Sequence, residues 1–296
     1  MIFAAIDIGS NAARLLFANV FGNKGKIYLD KATLVRIPTR LGKDVYSDKK
    51  ITKHRADNLI KTVSAFKLLI DVYKPVAYAA CATAAMREAV NGEEVLNRLS
   101  EEAGVDVRLV DGIEEANIIR QTNKIEFNQS HALSMYIDVG GGSTEISVLQ
   151  NDVVLGVTSF KIGTLRLLSQ KIKQSEWERM ENWLMQFEKD FGKINVVGSG
   201  GNINKINKIY GNPNTYTLKT SELKHAHKHL KSFSLEERMT KLGLRPDRAD
   251  VIVPAAKIFL SIIKLIQVDS MLVPKIGFAD GLIYKLYEDY KKGKSL

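Results

Sequence analysis

Two stretches of the chain repeat one pattern at nearly half-chain spacing, and they constrain the fold more than any other feature. Residues 136–148 read YIDVGGGSTEISV. An apolar run carries Asp138 near its end. Gly140, Gly141 and Gly142 follow, and then Ser143, Thr144 and Glu145 lead into a second β-rich run. Residues 4–20 read AAIDIGSNAARLLFANV. Here too an apolar strand carries one aspartate, Asp7, followed by Gly9, Ser10 and a second apolar run. Asp7 and Asp138 stand 131 residues apart in a chain of 296. Two strand–Asp–glycine-turn–strand units at that spacing predict two related domains. If the domains face each other, the two turns can grip one phosphate chain from opposite sides.

The residue types explain why phosphate is the expected ligand. A carboxylate within an apolar strand is costly unless something binds it. Glycines allow a turn to take positive φ and let a ligand approach the backbone closely. Successive N–H groups in such a turn form a nest for an anion. Asp138 and Glu145 would repel a bare phosphate, so a divalent cation between them is the natural mediator. A glycine-rich hairpin alone would look similar, but the second copy argues for a shared function.

Net charge is +10, from 43 Lys and Arg against 33 Asp and Glu, which favours anionic partners. No aromatic-basic single-strand motif or basic recognition helix is evident, so nucleic acid is not expected. The single cysteine, Cys81, cannot form an internal disulfide, which fits a reducing compartment. The N-terminus has no leader-like pattern, and no apolar run reaches about 18 residues. The expected location is the cytoplasm, without a membrane partner.

Each half reads as a three-strand meander followed by alternating helices and strands. The first meander is 2–8, 13–20 and 26–34; the second is 133–139, 143–149 and 153–160, with an Asn151-Asp152 turn. Residues 36–49 read as a polar loop whose Arg36, Arg40 and Lys43 can line an anion path. Thr52 caps a helix to about Tyr73. Residues 81–83 read as a turn before a short helix carrying Arg87. Asp111 and Gly112 open a helix with Glu114 and Glu115 in its first turn. Ser175/Glu178 and Ser234/Glu237 read as capping boxes. Residues 198–202 (GSGGN) form a third glycine turn, opening a helix to about Tyr210. His225 and His229 stand one helical turn apart and can chelate a metal; a solvated basic helix fits them as well. Cys81 reads as a small buried residue rather than a nucleophile. The sum is a duplicated α/β sandwich.

DIGSN (7–11), DVGGGSTE (138–145) and GSGGN (198–202) resemble the two phosphate motifs and the nucleoside-site glycine motif of the actin/Hsp70/sugar-kinase superfamily. Within it the chain resembles the exopolyphosphatase and guanosine pentaphosphate phosphohydrolase family. Further matching stretches are Met86–Ala89, Gly112–Ala116, Gly163–Leu167 and Arg248–Val251. The resemblance covers essentially the whole chain. It implies two ribonuclease H-like (actin-like ATPase) domains, each a mixed five-stranded sheet with helices on both faces, with a cleft between them. The expected boundaries are residues 1–113 plus 279–296 for the first domain and 114–278 for the second.

The resemblance also implies roles. Glu115 corresponds to the catalytic base and Arg87 to the substrate-binding arginine. Asp138 and Glu145 correspond to the metal-side carboxylates, for Mg²⁺. Asp7, Gly9, Ser10, Asn11, Arg14, Gly140, Gly141, Gly142, Ser143, Thr144, Gly200 and Gly201 correspond to phosphate-binding positions. The chain departs from the family pattern at Ala12, where Ser is usual, and at Asn202, where Thr is usual. The accessory C-terminal domains of long members are not in the sequence, which gives an expectation of short-chain preference. The expected activity is release of terminal orthophosphate from inorganic polyphosphate, with guanosine pentaphosphate as the alternative substrate. An ATP-dependent kinase or a non-catalytic actin-like protein is more remote. Homodimerisation is implied only by the resemblance.

Overall fold

A computed structural model of the chain describes residues 1–23, 26–122, 133–150, 153–212 and 214–293. The expected Asn151-Asp152 turn lies outside the described residues. The chain forms two compact units, Met1–Asn128 together with Phe278–Leu296, and Gln129–Gly277.

The first unit opens with the meander β1 (Ile2–Ile8), β2 (Ala13–Asn23) and β3 (Lys26–Ile37). Helix α1 (Leu41–Asp48) and the long helix α2 (Lys53–Tyr73) follow. Thr52 caps α2 by accepting from the Arg55 N–H, and Lys74 closes it in the left-handed region just before Pro75. Then come β4 (Ala77–Ala82), α3 (Ala84–Glu88), α4 (Gly92–Ala103), β5 (Arg108–Leu109) and α5 (Gly112–Thr122). The sheet order is β3-β2-β1-β4-β5, with β1, β4 and β5 parallel and the meander antiparallel.

The second unit repeats the meander as β6 (Leu133–Val139), β7 (Thr144–Gln150) and β8 (Val153–Phe160). Helices α6 (Thr164–Leu168) and α7 (Gln174–Met185) lead to β9 (Asn195–Ser199) and α8 (Gly201–Tyr210). The remainder is β10 (Thr217–Lys219), α9 (Thr220–Ser232), α10 (Leu235–Thr240), α11 (Pro246–Ala249), α12 (Ile252–Ile266) and β11 (Ser270–Leu272). The sheet order is β10-β11-β9-β6-β7-β8, with β6, β9 and β11 parallel. The short β10 adds a sixth strand, antiparallel on β11, to the five expected. Helix α12 buries nine of its residues beneath this sheet, which explains its nearly uninterrupted apolar sequence.

Helix α13 (Phe278–Lys291) returns the chain to the first unit. Its Leu282, Ile283 and Tyr287 pack with Phe3, Ala5 and Leu16 on one face of that sheet, together with Ile118 and Ile119 of α5. On the opposite face, Phe17 stacks on Tyr73 of α2. Because α5 packs with α13, Gly112–Thr122 groups with the first unit, beyond the expected boundary after residue 113.

Three local expectations are corrected. Residues 36–49 are not a loop: β3 runs to Ile37, and Leu41–Asp48 is a helix anchored by Leu41, Val45 and Tyr46. Cys81 and Ala82 belong to β4, extended by pairing with Arg108 and Leu109. Ser175 does not cap α7, which starts at Gln174 after Lys173 without a side-chain cap. Glu176 instead reaches back to accept from the Lys161 N–H. The Ser234/Glu237 capping box is present in both directions.

Candidate active site

In both units the singled-out residues gather where parallel strands end. Ligands of open α/β sheets bind beyond the carboxyl ends of their strands. In the first unit β1 ends at the Gly9 turn, β4 at Thr83–Arg87 and β5 at Asp111–Glu115. In the second unit β6 ends at Gly140–Ser143 and β9 at Gly200.

The second glycine turn is closed by the Gly140 N–H on the Ser143 carbonyl at 2.9 Å. Its own carbonyls are held from below by the segment after β8. The Thr164 N–H donates to Gly140 O at 3.0 Å, the Leu165 and Arg166 N–H groups to Gly141 O at 2.9 and 3.3 Å, and the Arg166 Nε to Gly142 O at 2.9 Å. Among the described residues no acceptor is found for the N–H groups of Gly141, Gly142 and Ser143. Three adjacent donors with their carbonyls turned to other partners make an anion nest.

Asp138 and Glu145 are register partners across β6 and β7, so their side chains share one face of the hairpin. A carboxylate oxygen of each lies within 4.8 Å of the other. Ser199 Oγ donates to Asp138 Oδ1 at 2.6 Å, and Ser159 Oγ donates to Glu145 Oε1 at 2.7 Å. Glu145 is buried. Two carboxylates directly opposite each other are mutually repulsive. Hard oxygen donors oriented by hydroxyl partners are the ligand set that a hard divalent cation takes. The residues present therefore fit a metal ion. Gly200, which follows Ser199, takes φ +106°, and a Cβ there would stand 3.1 Å from Asp138 Oδ1. Glycine is thus required beside this carboxylate.

The first turn has the same closure, Gly9 N–H to Ala12 O at 3.1 Å. Its carbonyls are also held: Thr83 N–H to Ile8 O, Gly42 N–H to Ser10 O and Arg40 N–H to Asn11 O. Ser10 Oγ shares a 2.7 Å hydrogen bond with the Tyr46 hydroxyl. Across this hairpin Asp7 faces Arg14, and the two form a 2.5 Å salt bridge.

Arg87, in α3, donates from Nη1 to the Val110 carbonyl at 2.5 Å. Val110 lies just before the Asp111–Gly112 entry to α5. There Asp111 accepts from Glu114 N–H through its side chain and from Glu115 N–H through its carbonyl. Glu114 is tied to Arg108, whereas Glu115 is buried at the helix start. The neighbouring ends of β4 and β5 therefore carry the arginine and the buried glutamate.

Other residues take structural places. Burial pushes the Cys81 thiol up to about 11, so it stays protonated and unreactive. His225 and His229 stack with ring centres 5.6 Å apart, and His229 Nδ1 shares a hydrogen bond with Tyr210. Burial, then Lys231, Lys257 and Lys264, hold His227 below the usual histidine range. Sequence reasoning missed Ser159, Ser199 and Arg166, whose roles arise only when the strands pair. No local signal marks Ser159, whereas Ser199 sits in the glycine turn 198–202 and Arg166 in the matching stretch Gly163–Leu167.

A model of the Ppx/GppA phosphatase family matches residues 33–289. The chain belongs to this family. Exopolyphosphatase 1 of Mycobacterium leprae (strain TN), a similar protein, is 32% identical over 149 residues, 50% of this chain and 42% of that protein. The guanosine-5'-triphosphate,3'-diphosphate pyrophosphatase of Aliivibrio fischeri (strain MJ11) is 23% identical over 303 residues, 97% of this chain and 60% of that protein. The chain spans about half the length of the curated relatives it matches. The crystal structure of the Aquifex aeolicus Ppx/GppA member superposes with a TM-score of 0.75 at 28% identity, covering 100% of this chain and 99% of that one. An exopolyphosphatase from Cytophaga hutchinsonii shares the fold, with a TM-score of 0.83 at 21% identity and coverage of 100% and 99%. The two-domain α/β architecture expected from the sequence is that of the Ppx/GppA family. Among the described residues no helix is long and apolar enough to cross a membrane.

Proposed function

We propose that this Ppx/GppA chain releases terminal orthophosphate from inorganic polyphosphate. The observation that carries the reading is the second glycine turn, whose carbonyls are all bound elsewhere and whose three N–H groups are left for an anion. The N–H groups of Gly141–Ser143 and of Ser10 and Asn11 bind phosphate oxygens, while Gly9, Gly140 and Thr144 shape the two turns and Gly200 and Gly201 border the second. Arg87 forks onto a phosphate oxygen, a geometry that lysine cannot reproduce. Asp7, paired with Arg14, keeps a cation beside the first turn. Glu115 orients the attacking water and takes its proton, and the leaving phosphate chain departs opposite the incoming oxygen. Asp138 and Glu145 hold Mg²⁺, which offsets phosphate charge when bound.

Guanosine pentaphosphate is the second reading. It is favoured by the match to guanosine-5'-triphosphate,3'-diphosphate pyrophosphatases along 97% of this chain. A phosphate-release assay with short polyphosphate, long polyphosphate, guanosine pentaphosphate and ATP, each with and without Mg²⁺, tests both readings. Fastest Mg²⁺-dependent release from polyphosphate supports the first and fastest release from guanosine pentaphosphate the second. Phosphate transfer only when an acceptor is supplied would overturn both.

A further inference from the structure

A buried cation lies beneath the second glycine turn, and the reaction described above does not use it. Arg166 is 4% exposed. Its Nε donates to the Gly142 carbonyl, while the backbone of Thr164–Arg166 holds the carbonyls of Gly140 and Gly141. Each carbonyl shares a rigid peptide plane with the N–H of the following residue. The three held carbonyls therefore belong to the same three peptides as the unused N–H groups of Gly141, Gly142 and Ser143. Holding one end of a peptide fixes the orientation of the other and polarises it. For the Gly142–Ser143 peptide the holding group is a full cation, which strengthens the Ser143 donor most.

Gly163 allows this close approach. A Cβ there would stand 2.3 Å from the Gly142 carbonyl carbon and 2.5 Å from Gly141 O. Its φ of −138° is open to any residue, so contact rather than conformation excludes a side chain. Burying a guanidinium is expensive, and an apolar residue of similar volume serves stability as well or better. An arginine in this place calls for a return beyond folding.

We infer that Arg166, seated by Gly163, is a positioning residue that locks the peptide planes of Gly140–Ser143, so that the anion meets a preformed nest. The inference rests on the reading above that this turn holds phosphate. It assigns the clamp to residues outside the turn itself.

The test uses the full chain with Arg166→Gln, Arg166→Ala and Gly163→Ala. Binding of inorganic tripolyphosphate is measured by calorimetry, and amide hydrogen exchange at Gly141–Ser143 is measured in the free protein. Arg166→Gln is expected to weaken binding about tenfold, the loss of one strong charge-assisted hydrogen bond. It should also speed exchange at those three amides, with exchange in the β6 core unchanged. Added guanidinium ion at millimolar concentration should restore part of the binding to Arg166→Ala, which a merely structural role would not show. Gly163→Ala should weaken binding at least as much by displacing the turn. Wild-type exchange rates and affinity in folded Arg166→Gln would overturn the clamp. If that variant does not fold, unchanged affinity in Gly163→Ala does so. The exchange measurement needs no substrate, so a wild-type protein that releases no phosphate would end the hydrolase reading and leave the clamp to be judged by exchange.

Discussion

The two glycine turns are copies of one device that differ at a single charged position. With a spacing of 131 residues, Asp7 matches Asp138, Gly9 matches Gly140, Ala12 matches Ser143 and Arg14 matches Glu145. Both turns close with the same bond, from the N–H of the first glycine to the carbonyl three residues on. In both, the segment after the third meander strand holds the turn's carbonyls, Arg40–Gly42 in one case and Thr164–Arg166 in the other. The difference lies across the hairpin. Asp7 faces a cation that neutralises it within the chain, whereas Asp138 faces a second carboxylate. The duplicated scaffold thus closes the same turn twice, with a salt bridge across the first hairpin and a pair of carboxylates that can hold a cation across the second.

The largest expected effect concerns neither turn. If both turns only hold phosphate, proton removal falls to Glu115. Glu115→Gln should then lower kcat by about 10²–10⁴, the usual contribution of a general base, with tripolyphosphate affinity retained. Full-rate hydrolysis by this variant would show that one of the turns activates the water itself.

The metal assignment comes next. Glu145→Gln and Asp138→Asn should each raise the Mg²⁺ concentration for half-maximal activity by at least ~10–100-fold, the range for loss of even an outer-shell partner. Chelation by EDTA should abolish the wild-type rate. Arg14→Gln should leave the Mg²⁺ titration where it is. A metal titration that shifts with Arg14→Gln and not with Glu145→Gln would reverse the roles of the two copies.

A smaller effect separates the copies by stability. Arg14→Met leaves Asp7 buried without its cation. Breaking a fully buried pair costs roughly 3–5 kcal/mol. Because the Arg14 side chain is 31% exposed, solvent screening reduces this to about 2 kcal/mol in urea denaturation. In contrast, Glu145→Gln removes one of two like charges and should leave stability in Mg²⁺-free buffer unchanged or raised. Equal destabilisation by both would mean that Asp138 and Glu145 are as well neutralised within the chain as Asp7.

This contrast also shows what the sequence could reveal. The turns were legible because aspartate, glycines and flanking apolar runs occur in one short window, twice. The pairing of Asp138 with Glu145 was legible because a hairpin fixes register over a few residues. The segments that hold the turns were not. Helix α1 begins after Arg40 in the left-handed region with no side-chain cap, so none of the usual start signals is present. Arg166 acts on a carbonyl 24 residues earlier, through a contact that exists only once β8 is in place. Ser175 and Glu178 had the spacing of a capping box, but Glu176 was drawn to the Lys161 N–H and the helix began two residues sooner. Glu115 was visible as a helix-start carboxylate, and only the family resemblance gave it a reaction.

The finest distinction between the copies is Ala12, which stands where the second turn has Ser143. Ala12 is 1% exposed, so a hydroxyl added there must find an acceptor or lose its hydration. Without ligand, Ala12→Ser should lower stability by about 1 kcal/mol, the lower end of the cost of an unsatisfied buried hydroxyl. With a phosphate in the first turn, the same hydroxyl gains an ionised acceptor. One such bond contributes about 1.5 kcal/mol, or roughly a tenfold gain in tripolyphosphate affinity at most. Ser143→Ala should move affinity the other way by a similar factor. Opposite shifts of comparable size in the two variants would show that both turns touch the same class of anion. Lost stability without tighter binding in Ala12→Ser would show that the first copy keeps the shape of the nest while its hydroxyl position no longer meets phosphate.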